Sequence, residues 1–217
     1  MALNSRQAQK AATRAAILRT AAEQFDANGY AATTVGEIAD RLGMTKGSVY
    51  FHFPSKAELA AEVAGEYFHL WEPVLSRVDE QGLTGLDALI WASREVALRY
   101  RDDVTVRAAV RLMRESSIID ASMPVPFVGW IEVVRRYLEQ ARESGGLRPG
   151  VDIDALAWHL VAQFFGTQEV SHQLSERGDL AERIDLLWTF TLDGVRGEAG
   201  PGVSVGSAPD RGAERGD

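Results

Sequence analysis

Thr45, Lys46, Gly47, Ser48, Tyr50 and His52 crowd hydrogen-bonding groups into one short stretch, with Lys56 just beyond it and Thr34 before it. A lysine is a compact positive charge, hydroxyls donate or accept, and a glycine leaves the backbone open to close approach. The chemistry such a set performs is recognition of phosphate and base edges rather than bond making. A second set is Glu66-Tyr-Phe-His69 with Glu169-Val-Ser-His172, two Glu-x-x-His pairs of the kind that form half the ligands of di-iron carboxylate bundles. Those sites also require an inward glutamate from each of two other helices, whereas His69 falls about 120° from Val63, the centre of its apolar face. A metal site is therefore a weak rival, and no metal or other cofactor is expected. The chain has no cysteine, no glycine-rich phosphate cradle at a strand–helix junction and no serine in a nucleophile-elbow context, so an enzyme reading finds little support.

The elements that position these groups read as helices. Ala15, Leu18, Ala22 and Phe25 recur at spacings of three and four within Arg6 to Asn28, and Gly29 follows where a C-terminal cap belongs. Thr34-Val-Gly-Glu37 is a capping box that opens a short helix ending at Leu42-Gly43. Thr45 caps another through Phe53, which Pro54 closes because proline cannot continue the amide ladder. Two short helices joined by a tight turn have helix-turn-helix spacing. Val49 and Phe53 would pack on Ile38 and Leu42, leaving Lys46, Gly47, Ser48, Tyr50 and His52 outside. Thr34 and Thr45 sit at helix starts, where exposed amides favour an anion.

Ser55-Lys-Ala-Glu58 is a second capping box, starting a long helix with Leu59, Val63, Tyr67, Leu70 and Val74 on one face. Further helices are expected at Leu86–Arg101, Val104–Arg114, Val125–Glu143, Asp154–Ser175 and Asp179–Val195, separated by glycine, proline and aspartate breaks. No strand alternation stands out, so the fold class is all-α. The composition of residues 197–217 reads as a disordered tail.

An apolar fraction of 46% with 25% charged residues is that of a chain that folds around a real core. No apolar run reaches membrane-spanning length and the first twenty residues lack a signal-peptide apolar block, which points to a cytoplasmic protein with no membrane partner. The net charge of -8 hides an asymmetry: seven basic against four acidic residues through position 56 leave +3 there and -11 on the remainder. A small nucleic-acid surface on an acidic body accounts for that split.

The run Gly29-Tyr-Ala-Ala-Thr-Thr-Val-Gly-Glu-Ile-Ala-Asp-Arg-Leu-Gly-Met-Thr-Lys-Gly-Ser-Val-Tyr-Phe-His-Phe-Pro-Ser-Lys-Ala-Glu-Leu59 resembles the N-terminal signature of the TetR-type transcriptional repressors. That resemblance implies a three-helix head for operator DNA, residues 1–55, and a helical body for a small ligand and dimerisation, residues 56–196. It implies phosphate contacts for Thr34, Lys46, Tyr50, His52 and Lys56, and a base-facing role for Thr45, Lys46, Gly47 and Ser48.

In the body, Asp103-Val-Thr-Val-Arg-Ala-Ala-Val-Arg-Leu112, Pro126-Phe-Val-Gly-Trp130 and Phe164-Phe-Gly-Thr-Gln168 resemble the γ-butyrolactone receptors, the actinomycete autoregulator branch of that family. The resemblance implies that Trp130 contacts the ligand and that its loss impairs ligand response without abolishing DNA binding. Thr167 and Phe164 are expected on an inward face, with Trp91, Met113 and Gln168 as further pocket candidates. Gln168 points toward the expected dimer side. Leu156, Leu160, Phe164, Thr167, Ser171 and Leu174 on one side of their helix, and Trp158, Val161, Phe165, Gln168 and His172 on the other, make a helix that must be covered twice, by its own subunit and by a partner. The expected assembly is a homodimer on double-stranded operator DNA, released by a small amphipathic ligand of γ-butyrolactone, furan or butenolide type. The alternatives are a regulator of efflux or catabolic genes sensing another hydrophobic ligand, and a body that serves as a protein-interaction module.

Overall fold

Small residues set how the first helices pack. Ala21 and Ala22 on α1 (Ala2–Ala32) and Ala57, Ala60 and Ala64 on α4 (Lys56–His69) are buried, and with no bulk beyond Cβ they let backbones come close. The computed structural model describes residues 2–69, 71–125 and 127–197; Leu70, Pro126 and the expected tail beyond Gly197 lie outside them. Gly29 interrupts α1 with φ 78° and ψ 177°, geometry that glycine adopts without steric penalty, so the helix proper ends where the cap was expected. Between α1 and α4 lie α2 (Val35–Arg41) and α3 (Lys46–His52), joined by a turn in which Gly43 has φ 63°.

Local chemistry fixes both short helices. Thr34 Oγ1 accepts from Glu37 N at 3.2 Å while Glu37 Oε2 accepts from Thr34 N at 2.9 Å, the reciprocal capping box. Thr45 Oγ1 caps α3 by accepting from Ser48 N at 3.1 Å. Of the second expected box only one hydrogen bond forms, Glu58 N donating to Ser55 Oγ at 3.0 Å.

The remaining elements are α5 (Trp71–Glu80), α6 (Gly85–Asp102), α7 (Val104–Arg114), α8 (Phe127–Glu143), α9 (Ile153–Ser175) and α10 (Leu180–Val195). Helical residues thus flank Leu70 on both sides of the expected long helix. A lone antiparallel bridge between Leu147 and Arg196 is the sole β pairing among the described residues. Two buried clusters result. One gathers Ile17, Phe25, Ile38, Val49, Phe53 and Leu59 around the short helices and takes Ala108 and Leu112 from α7. The other begins on α4 at Tyr67 and runs through α5, α6 and α8 to α10. The α4 helix therefore spans both, and α7 is wedged against α1 and α4.

Candidate functional site

The inner face of α3 is fully committed to the core, which leaves its polar groups outside. Val49 and Phe53 are 1% and 2% exposed against Ile38 and Ala39. Lys46, Gly47 and Tyr50 are exposed and Ser48 is half-exposed. The Lys46 stem lies across α2 at Gly36, where a Cβ would sit 2.6 Å from Lys46 Cε. At Gly47 a Cβ would meet nothing nearer than Thr45 Oγ1 at 3.8 Å, so a missing side chain there clears space outside the protein, not within it. Thr45 Oγ1 and Ser48 Oγ lie 2.9 Å apart at the start of α3 and share a hydrogen bond.

Three expected contacts are altered by the packing. Lys56 is half-buried: its Nζ donates to Tyr30 O at 2.9 Å and Thr33 O at 3.0 Å and sits 4.2 Å from the centre of the Tyr30 ring. Its ammonium thus ties α4 to the end of α1 and is not presented outward, because two carbonyls freed near Gly29 need donors. His52 is also half-buried, and burial, followed by the charges of Lys10 and Arg14, lowers its pKa, so the imidazole is neutral near pH 7. Thr34 holds its hydroxyl on Glu37, whose pKa is lowered chiefly by the Thr34 backbone donor and then by its side chain.

Phe51 was missed. It is 73% exposed, with Lys10 Nζ of α1 5.2 Å from the centre of its ring. The signal was available, since a residue two positions from Val49 lies about 200° round the helix, on the opposite face.

The body encloses a cavity of about 60 Å³ among α6, α8, α9 and α10. Trp130, Tyr137, Leu160, Phe164, Phe165 and Trp188 contribute to its wall, and no lining residue carries a charge. Its one deep polar pair is satisfied internally, Trp188 Nε1 donating to Ser93 Oγ at 2.7 Å and Ser93 Oγ to Ile90 O at 2.9 Å. Small-molecule sites commonly measure about 300–1,000 Å³, so a ligand must part these aromatic rings to enter.

Trp130 and Phe164 line the cavity as expected, but four other pocket candidates do not. The buried edge of α9 runs through Ala157, Leu160, Val161 and Gln168, which turns Thr167 away from the cavity into an outer groove between α9 and α10. Gln168, expected on the dimer side, is instead 2% exposed and accepts from Arg177 Nε at 3.4 Å. The two faces of α9 are thus rotated from the sequence expectation, because a helix apolar on both sides carries no phase of its own. Trp91 packs against the body cluster away from the cavity, and Met113 fills the place where the two clusters meet.

Polar contacts bolt α7 to the end of α1. Arg107 Nε reaches Asp26 Oδ2 at 2.9 Å, Arg111 Nη1 donates to Asp26 O at 2.6 Å, and Tyr30 N donates to Glu115 Oε2 at 2.6 Å. A Cβ at Gly29 would lie 2.7 Å from Glu115 Oε1, so glycine there answers both the backbone angle and the close approach. Of the Glu-x-x-His pairs, His69 is exposed and Glu169 is occupied by Arg114 and Gln173. Among the described residues no three His, Cys, Asp or Glu side chains gather as a metal site, and no helix is long and apolar enough to cross a membrane.

A helix-turn-helix coupled to an aromatic cavity is matched by comparison with known proteins. The family of bacterial regulatory proteins, tetR family, matches residues 17–63, and the tetracyclin repressor-like C-terminal domain matches residues 83–197. The A-factor receptor protein of Streptomyces griseus is 32% identical over 207 residues, covering 95% of this chain and 71% of its own length. A structure solved as the molecular basis for control of antibiotic production by bacterial hormones is 42% identical, with TM-score 0.79 over 85% of this chain and 97% of that one. CprB from Streptomyces coelicolor, solved with its biological operator sequence, is 29% identical with TM-score 0.75 over 87% and 90%. The chain belongs to the TetR family of bacterial transcriptional regulators.

Proposed function

We propose that this chain is a ligand-responsive repressor that binds a pseudo-palindromic operator as a homodimer and is released by a γ-butyrolactone or a related furan or butenolide. The observation that carries this reading is the connection of α3, polar outside and buried inside, through α4 to a charge-free aromatic cavity walled by Trp130. Similarity to an A-factor receptor and to an operator-bound CprB supports both halves of it. Residues 1–55 serve as the DNA head and 56–196 as the sensing and dimerising body, a binder rather than an enzyme, at work in the cytoplasm. Lys46, Tyr50 and Phe51 supply phosphate and base contacts, with Thr45, Gly47 and Ser48 at the point of closest approach.

Dimerisation is supported by the outer face of α9 and α10, where Trp158, Val170, Leu174 and Phe190 are 55%, 58%, 82% and 73% exposed. A two-fold pair would set two α3 helices about 34 Å apart, one turn of DNA. A ligand that favours the DNA-incompetent spacing by ~2.7 kcal/mol shifts the equilibrium about 100-fold. The test is release of a fluorescent operator by a panel of γ-butyrolactones, furans and butenolides. A monomer in solution, or no binding to any promoter fragment at low ionic strength, would remove the reading.

A further inference from the structure

Behind the cavity wall, hydrogen-bond donors outnumber acceptors. Tyr67 OH and Tyr100 OH lie 2.7 Å apart, and Trp130 Nε1 donates to Tyr67 OH at 3.3 Å. Both tyrosines are 0% exposed, and burial, above all else, holds each hydroxyl protonated well above the usual phenol range. Whichever hydroxyl donates within the pair, the other O–H is left without an acceptor among the described residues. The Trp71 ring packs edge-on against Tyr67 and Trp130, at 5.0 Å and 3.9 Å between ring centres, and its Nε1 is buried with no acceptor among the described residues. Leaving a buried donor unmet is unfavourable, so two together in one place call for an explanation.

The cluster adjoins the cavity at two points. Trp130 belongs to both, and the Tyr100 ring packs on Phe164 and Phe165, which line the cavity. A turn of the Trp130 indole would join cavity and cluster into one space, with an apolar end toward α10 and a donor-rich end at α4. We propose that Tyr67, Tyr100 and Trp71, with Trp130, form the polar end of the ligand site and bind a group that accepts hydrogen bonds but donates none, the carbonyl oxygen of a neutral lactone. The assignment rests on the lactone-receptor reading and adds the atoms that recognise the ring. It also places a ligand contact on α4, whose other end is tied to the head through Lys56.

The experiment compares γ-octalactone with 2-butyltetrahydrofuran, the same ring and tail without the carbonyl, by calorimetry and tryptophan fluorescence on the full chain. Wild-type protein should bind the lactone about tenfold or more tightly than the ether. A single Tyr→Phe change leaves one hydroxyl free to donate, so the decisive variant is Tyr67→Phe combined with Tyr100→Phe. In it the lactone preference should fall about threefold or more, the Trp71 and Trp130 indole N–H groups keeping the remainder, with the ether bound as before. Equal binding of both compounds by the wild type, or a preference undiminished in a double variant of unchanged Tm, overturns the assignment while leaving a lactone receptor intact. Failure of every lactone to bind overturns that receptor reading and this assignment with it. Should the double variant not fold, the wild-type ratio alone decides.

Discussion

Alanines make up a larger share of the buried cluster in the head, whereas aromatic rings crowd the one in the body. Ala21, Ala22, Ala39, Ala57 and Ala60 bring α1, α2 and α4 together around one buried phenylalanine at each end, Phe25 and Phe53. In the body Tyr67, Trp71, Trp130, Tyr100, Phe164 and Phe165 meet edge to face in a chain of pairs, beside a cavity that Trp188 also lines and with two donors unmet. A backbone held at close range by alanines has few alternative packings, which suits a surface that must present α3 in one geometry. Large rings leave gaps and can turn, which suits a site that must open. The α7 helix touches both regions, through Leu112 on one side and Val106 and Val110 on the other.

The largest expected effect tests whether the head is rigid because it is packed. Phe53→Ala removes a ring 2% exposed and should lower unfolding free energy by ~3–5 kcal/mol in urea denaturation, with operator binding lost. A change below ~1 kcal/mol would mean that the head relaxes around cavities much as the body does. Next, Trp130→Ala should raise the lactone concentration for operator release by about 100-fold while operator affinity stays within about threefold. Equal loss of both in gel shifts would show that the two regions are not separable.

At the junction, Gly29→Ala should cost ~1–2 kcal/mol by forcing alanine into positive φ, and should displace Glu115 from Tyr30 N. Thermal melts check the first part; the second appears as weakened coupling between ligand and operator. On the exposed face, Lys46→Ala should weaken operator binding about tenfold, evenly across sequences, and reduce the salt slope by about one.

The smallest effect is in pH. Burial lowers the pKa of both His52, with Lys10 and Arg14, and His172, with Arg177 and Arg114. The unfolded chain then takes up protons first as pH falls below about 6.5, so stability is full above that value and declines with acidification. His52→Gln should flatten the fall in Tm between about pH 7 and 5.5. An unchanged slope in both His52→Gln and His172→Gln would assign the acid sensitivity to other groups.

The head was readable because its determinants are local. Thr34 and Glu37, Thr45 and Ser48, Gly29 and Pro54 act within one turn of themselves, so residue type and spacing are enough to place α2 and α3. Lys56 escaped that logic, since its partners, Tyr30 near the end of α1 and Thr33 just beyond it, lie far earlier in the chain. So did the Arg107, Arg111 and Glu115 contacts to α1, which join residues far apart in the chain.

Helix content, the polar face of α3 and the breaks between body helices follow from composition, caps and a 3.6-residue period in the chain itself. Tertiary structure alone decided the rotation of α9, and with it whether Thr167 or Gln168 is buried and which aromatic side chains enclose the cavity. The reason is that α9 is apolar on two opposite sides, so its own pattern leaves its rotation open. The neighbours it packs against select the phase, and the same packing brings Tyr67, Trp71, Tyr100 and Trp130 together from four helices.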